Sequence, residues 1–164
     1  NKIKDITKVT KGFYREWSEE IYQHYLLVFG LDENKKVSEL SAGMRVKYMI
    51  AVALSHNAKL FIFDEPTSGL DPVSRDELLE IFKKLVEKKE RSILFSTHIT
   101  SDLEKCATHI TYIKEGEILE SDTLLQFQNK FQYLKENEKD AMLSLEEIMV
   151  KIERREYQDD AFSL

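Results

Sequence analysis

The 164-residue chain is short of the residues that mark several common designs. It has one cysteine, Cys106, so no disulfide can form within it, and a lone thiol suits a reducing compartment. Two prolines and five glycines leave no low-complexity linker, and no internal repeat is visible. The glycines are Gly12, Gly30, Gly43, Gly69 and Gly116. None begins a Gly-x-x-x-x-Gly-Lys-Ser/Thr run, the loop whose amides and lysine hold nucleotide phosphates. No apolar run approaches the roughly 20 residues that cross a bilayer as a helix, and no basic-then-apolar leader opens the sequence. A membrane role would need another chain to supply the spanning part. Positive charge is scarce as well: 24 Lys and Arg against 30 Asp and Glu give a net charge of −6, which disfavours a nucleic-acid-binding face.

What is present suits a globular protein, with 42% hydrophobic and 33% charged residues. Residues 1–54 read as mostly helical. Ser18 is a candidate N-cap, with Glu19 and Glu20 in the first turn. Ile21, Tyr25, Val28 and Phe29 form the expected inner stripe of that helix, which Gly30 ends. A second helix is expected from Met44 to Ser55, burying Met49, Ile50, Ala53 and Leu54. From Lys59 the pattern changes to strand–helix alternation, the mark of a parallel sheet. Leu60 to Phe63 and Ser92 to Phe95 read as strands, the first buried on both faces. Between them Leu78, Leu79, Phe82, Leu85 and Val86 mark a helix. A short helix over Asp102 to Cys106 and two short strands about the Lys114 to Glu117 turn follow. Leu124 to Phe131 and Leu145 to Ile152 have helical spacing.

The run Leu60-Phe61-Ile62-Phe63-Asp64-Glu65-Pro66-Thr67-Ser68-Gly69-Leu70-Asp71 carries the chemistry. An apolar strand ends in two carboxylates, and the carboxyl rim of an open α/β sheet is where ligands bind. Side chains alternate along a strand, so Asp64 and Glu65 are expected to point to opposite sides and take different tasks. Asp71 reads as an N-cap ahead of Pro72. Upstream, Leu40-Ser41-Ala42-Gly43-Met44 opens a helix, where free amides and the dipole favour an anion. Downstream, Ser96-Thr97-His98 closes the second strand and puts a histidine on the same rim. His24, His56 and His109 have no such setting and read as structural.

Together these segments resemble the signature motif, Walker B motif, D-loop and switch histidine of ATP-binding cassette (ABC) ATPases, in the family's order. The resemblance covers roughly Phe13 to Asp122 and implies a partial P-loop NTPase fold of class α/β. In three parts, residues 1–56 would be a helical subdomain ending in the signature and its helix. Residues 57–121 would be the C-terminal part of the ATPase core, and 122–164 a helical extension. By the same resemblance Asp64 holds Mg²⁺ through water, and Glu65 is the catalytic base. His98 contacts the γ-phosphate and positions the attacking water. Ser41, Ala42 and Gly43 bind the γ-phosphate of ATP on an opposing subunit, and the Asp71 loop runs along that interface. The usual signature is Leu-Ser-Gly-Gly-Gln, from which Ala42 and Met44 depart, and Met44 is given no role.

The cofactors implied are ATP and Mg²⁺. The partners implied are a transmembrane permease subunit and a second ABC ATPase, identical or different, with no nucleic acid. Such a subunit lies on the cytoplasmic face of the cell membrane. Phe13-Tyr14-Arg15-Glu16-Trp17 reads as a surface-helix anchor and resembles a segment of bacterial drug, antibiotic and peptide exporters, near the groove that receives the membrane subunit. The missing phosphate loop makes this the C-terminal portion of a longer ATPase subunit, and the fragment alone is expected not to hydrolyse ATP. A further expectation is an exposed apolar sheet edge beside Leu60 to Phe63. The alternatives are a lobe of an SMC-type DNA-maintenance ATPase, a ribosome-associated ABC protein, and a regulatory module without catalysis. The first lacks sustained heptads over residues 1–40. The second usually reads Asn-His-Leu-Asp at Ser68 to Asp71, and the third has no reason to keep both Glu65 and His98.

Overall fold

The computed structural model describes residues 1–87, 90–135 and 141–161, with side chains as far as residue 154. It divides into two compact units, Asn1–His98 and Ile99–Leu164, the break falling inside the segment expected to form the ATPase core.

The first unit opens with three helices, α1 (Ile3–Thr10), α2 (Glu19–Val28) and α3 (Ala42–Ser55). Ser18 caps α2, its hydroxyl accepting the Ile21 N–H at 3.2 Å. Gly30, at φ +63°, turns the chain away in the left-handed region that glycine enters freely. Ile3, Tyr22, Leu26, Leu31, Leu40 and Tyr48 form the core, with Trp17, Phe29 and Met44 packed against it. Inside it, the buried Thr7 hydroxyl lies 2.8 Å from both Tyr22 and Tyr48 OH groups, so the three satisfy one another. Burial pushes the Tyr22 phenol up to about 12.

The inner face of α2 is only partly the stripe read from sequence: Phe29 packs against the core and Tyr25 is half-buried. Ile21 and Val28 are exposed, while Tyr22 and Leu26 are buried. Two apolar stripes lie side by side on this helix, and periodicity alone does not choose between them. Tyr22 turns inward because Thr7 meets its hydroxyl there. Helix α3 starts at Ala42, ahead of the expected Met44, and buries Val46, Tyr48, Ile50, Ala51 and Leu54, leaving Met49 exposed.

Strands β1 (Leu60–Asp64) and β2 (Ser92–Ser96) pair in parallel, Leu60 opposite Ser92 through to Asp64 opposite Ser96. Between them α4 (Pro72–Val86) buries Leu78, Leu79 and Phe82. The Phe82 ring stacks on Phe63 at 5.2 Å and tilts against Phe95 at 5.6 Å, covering one sheet face. On the other face Leu60, Ile62 and Leu94 are 56%, 68% and 61% exposed. Burial of β1 on both faces is therefore corrected: only Phe61 is fully buried, because a single helix covers this two-stranded ribbon.

The second unit holds α5 (Thr100–Cys106), the antiparallel hairpin of β3 (His109–Lys114) and β4 (Glu117–Thr123), α6 (Leu124–Lys130) and α7 (Leu145–Ala161). Glu115 and Gly116 both have positive φ, +50° and +83°, the signature of a turn whose twist matches its strands. Ile110, Phe127, Leu134, Leu143, Leu145 and Ile148 form its core. Among the described residues no helix is long and apolar enough to cross a membrane.

Candidate active site

Asp64 and Ser96 are the last rung of the parallel ladder, so their side chains leave the same sheet face. Ser96 Oγ donates to Asp64 Oδ1 at 2.5 Å. Among the described residues, none makes a hydrogen bond or ion pair to the other Asp64 oxygen.

Glu65 has already left the strand. Its φ is +46°, a left-handed conformation uncommon outside glycine. The amide that this turn presents donates to the Ser96 carbonyl at 3.1 Å and lies 3.2 Å from Ser96 Oγ. Strand alternation, the expected basis for separating the two carboxylates, therefore does not apply; a backbone reversal separates them. Glu65 Oε2 lies 2.9 Å from His98 Nδ1. The approach is not aligned as a hydrogen bond, and this oxygen, shielded from solvent, has no donor pointed at it. A close imidazole and an acceptor with spare capacity can receive a proton from a water held between or beside them.

The chain then turns tightly, with Ser68 N–H on Glu65 O at 3.1 Å and Gly69 at φ +70°. Asp71 follows as the cap of α4, Oδ1 accepting from the Val73 and Ser74 amides at 3.1 and 3.0 Å. Hydrogen bonds from Ser74, side chain first and then amide, hold its carboxyl below the ordinary range. The N-cap expectation for Asp71 is met in full.

Ser41 caps α3, its hydroxyl accepting the Met44 amide at 3.2 Å. Gly43 lies against the turn before α4: a methyl group placed on it would sit 3.6 Å from Leu70 Cδ2 and 3.7 Å from Ser74 Cβ. That is ordinary contact, so packing does not demand glycine at this position. Lys47 and Glu77, 2.8 Å apart, join α3 to α4 further along. The structure thus gathers Asp64, Glu65 and His98 around Ser96, and sets the Ser41–Gly43 helix mouth beside the Leu70–Asp71 turn. The hydrogen bond of Ser41 stays within its own helix, and among the described residues none joins it to the acidic cluster. Met44 is accounted for by packing, since its side chain joins the helical core.

No ligand set of three or more His, Cys, Asp or Glu occurs among the described residues. Magnesium does not require one, because it usually takes one or two carboxylates and keeps water and phosphate for the rest. The free oxygen of Asp64 fits that use. Tyr14 stacks on His56 at 3.7 Å, and His24 packs edge-on to Tyr25, in keeping with structural roles. In the Phe13–Trp17 segment Trp17 is anchored, its indole N–H reaching Glu19 at 3.2 Å, whereas Phe13 is 81% exposed. Sequence reading missed Ser96. Its signal was only its place, one residue ahead of the Thr97-His98 pair and level with Asp64.

Residues 2–101 match a family model described as "AAA domain, putative AbiEii toxin, Type IV TA system". The chain is 40% identical over 97 residues to the bacitracin transport ATP-binding protein BcrA of Bacillus licheniformis, covering 58% of this chain and 32% of that protein. It is 30% identical over 130 residues to an energy-coupling factor transporter ATP-binding protein of Enterococcus faecalis, covering 77% and 45%. A solved structure of the ATP-binding subunit of an ABC transporter superposes with a TM-score of 0.73 at 27% identity, covering 93% of this chain and 62% of that one. A dimeric ATP-binding cassette in a post-hydrolysis state with ADP and Pi has a TM-score of 0.56 at 26% identity, covering 68% and 51%. The chain spans less than half the length of the curated relatives it matches, 32% of the bacitracin relative and 45% of the energy-coupling factor one.

Proposed function

We propose a function from one premise: this chain belongs to the AAA-domain family, as part of an ATP-binding cassette ATPase. The intact protein binds and hydrolyses Mg-ATP and energises a transporter. The observation that carries this reading is the cluster at the ends of β1 and β2. There Glu65 Oε2, with no donor aligned on it, lies 2.9 Å from His98 and next in sequence to the Ser96-held Asp64.

Each residue then has a task that its setting allows. Glu65 accepts a proton from the attacking water. His98, largely exposed, is free to turn toward a γ-phosphate and hold that water in line. The free oxygen of Asp64 holds the water shell of Mg²⁺, which when bound offsets charge on the phosphates. Ser41, Ala42 and Gly43 present helix-start amides to the γ-phosphate of ATP carried by a second ATPase subunit. The Asp71 turn, in contact with Gly43, lies along that interface. The dimeric relative with ADP and Pi supports a paired arrangement. The phosphate loop belongs to the part of the longer protein outside this chain, and so does the cover of the open face at Leu60, Ile62 and Leu94. This chain alone does not turn over ATP.

The transporter is completed by a separate transmembrane permease, which holds the ATPase at the cytoplasmic face of the membrane. Export of a drug, antibiotic or peptide is the reading supported by the bacitracin transport relative and by the Phe13–Trp17 segment. The relatives are transport proteins, which leaves the DNA-maintenance alternative without support.

Phosphate release by the intact protein tests the hydrolytic centre. Glu65→Gln is expected to lower turnover by about 100-fold or more, a typical loss for a general base, with Mg-ATP binding kept within a few-fold. Release at the wild-type rate would remove Glu65 from the chemistry.

A further inference from the structure

Ser96 touches both carboxylate-bearing residues at once. Its hydroxyl donates to Asp64 Oδ1 at 2.5 Å, and the same oxygen lies 3.2 Å from the Glu65 amide. Its carbonyl takes that amide at 3.1 Å as well. One residue thus fixes the Asp64 rotamer and meets the amide of a glutamate held at φ +46°. A left-handed conformation is unfavourable for a non-glycine residue unless its surroundings hold it there. Ser96 supplies that hold from the neighbouring strand, on the rung where the parallel register sets it opposite Asp64.

We propose that Ser96 is a positioning residue for hydrolysis, latching Asp64 and Glu65 into one geometry. The hydroxyl spends its proton on Oδ1, so the other Asp64 oxygen is the one left to face the metal's water shell. Its lone pair stabilises the turn from which the Glu65 carboxylate reaches His98. An alanine here frees the Asp64 side chain and removes one of two acceptors from the Glu65 amide. A threonine keeps the hydroxyl, and valine copies the shape of threonine without it.

This inference rests on the hydrolytic reading, so its test carries a separate control. In the intact ATPase, Ser96→Ala and Ser96→Val are expected to lower kcat by about tenfold, the effect of losing one charge-assisted hydrogen bond. KM for ATP stays within about twofold, because the phosphate loop and not Ser96 binds the nucleotide. Mn²⁺ affinity of the ATP complex, read by electron paramagnetic resonance, weakens several-fold, and Ser96→Thr restores both quantities. Should Ser96→Ala fail to fold, the valine–threonine pair decides alone. Valine matching threonine in kcat and in Mn²⁺ affinity would overturn the proposal. If Glu65→Gln leaves turnover unchanged, the hydrolytic reading falls first. The latch is then judged on nucleotide-free protein, where the Glu65 amide must exchange faster in Ser96→Val than in Ser96→Thr, and equal rates refute it.

Discussion

The helices α1 to α3 close a core on themselves, whereas β1 and β2 close only one of their two faces. In the helical part Ile3, Tyr22, Leu26 and Leu40 are each under a tenth exposed, and even the polar groups inside meet one another through Thr7. On the strand pair, Leu60, Ile62 and Leu94 stand more than half exposed, directly below the rung that holds Asp64 and Ser96. The candidate catalytic groups therefore sit on the less finished part. The closed part carries the Ser41 helix mouth, which on the proposed reading acts on a nucleotide bound elsewhere. This contrast suits a divided site, in which one element needs only to be presented rigidly and the other needs the rest of its sheet.

The largest effect should come from removing the cover that α4 gives the strands. Phe82→Ala takes away the ring between Phe63 and Phe95 and is expected to cost about 3–5 kcal/mol in denaturant unfolding of this chain. A cost below that of an exposed substitution would mean that α4 does not hold the ribbon.

Alkaline unfolding probes the closed side. Tyr22 has its folded pKa raised to about 12 from an ordinary 10, so its contribution is complete below pH 10 and is lost as pH rises toward 12. The loss should be on the order of 2 kcal/mol for a shift of that size, and Tyr22→Phe should flatten the profile. An unchanged slope in that variant would place the alkaline sensitivity elsewhere.

The smallest effect belongs to the open face. Ile62→Thr exchanges one β-branched residue for another at an exposed position, and should change the stability of this chain by less than about 0.5 kcal/mol. In the intact protein the same change should cost about 1–3 kcal/mol if the face is covered there. Equal costs in the two settings would break the contrast between closed and open parts.

Much of this was legible in the sequence because local chemistry decided it. Ser18, Ser41 and Asp71 cap helices as their types and positions require, and the Asp64 strand ends where its apolar run ends. The Glu115–Gly116 turn follows from residue type in the same way. What was not legible depended on partners distant in the chain. The inward turn of Tyr22 is set by Thr7 and Tyr48, and the outward turn of Ile62 by the number of layers present. Glu65 looked like one more strand residue until Ser96, 31 positions later, held its amide in a reversed turn. The Asp64–Ser96 bond needed the register of two strands, which no spacing within either strand reveals.

Mixing two inactive forms of the intact protein tests the divided site directly. Ser41→Arg blocks the helix mouth of one copy, and Glu65→Gln removes the base of the other, so neither alone should release phosphate. If mouth and acidic cluster act on nucleotides across a pair, each mixed dimer regains one complete site, and turnover should return to as much as about a quarter of wild type under random pairing. If both groups of one copy surround the same ATP, the mixture stays as inactive as its parts, and the account is contradicted.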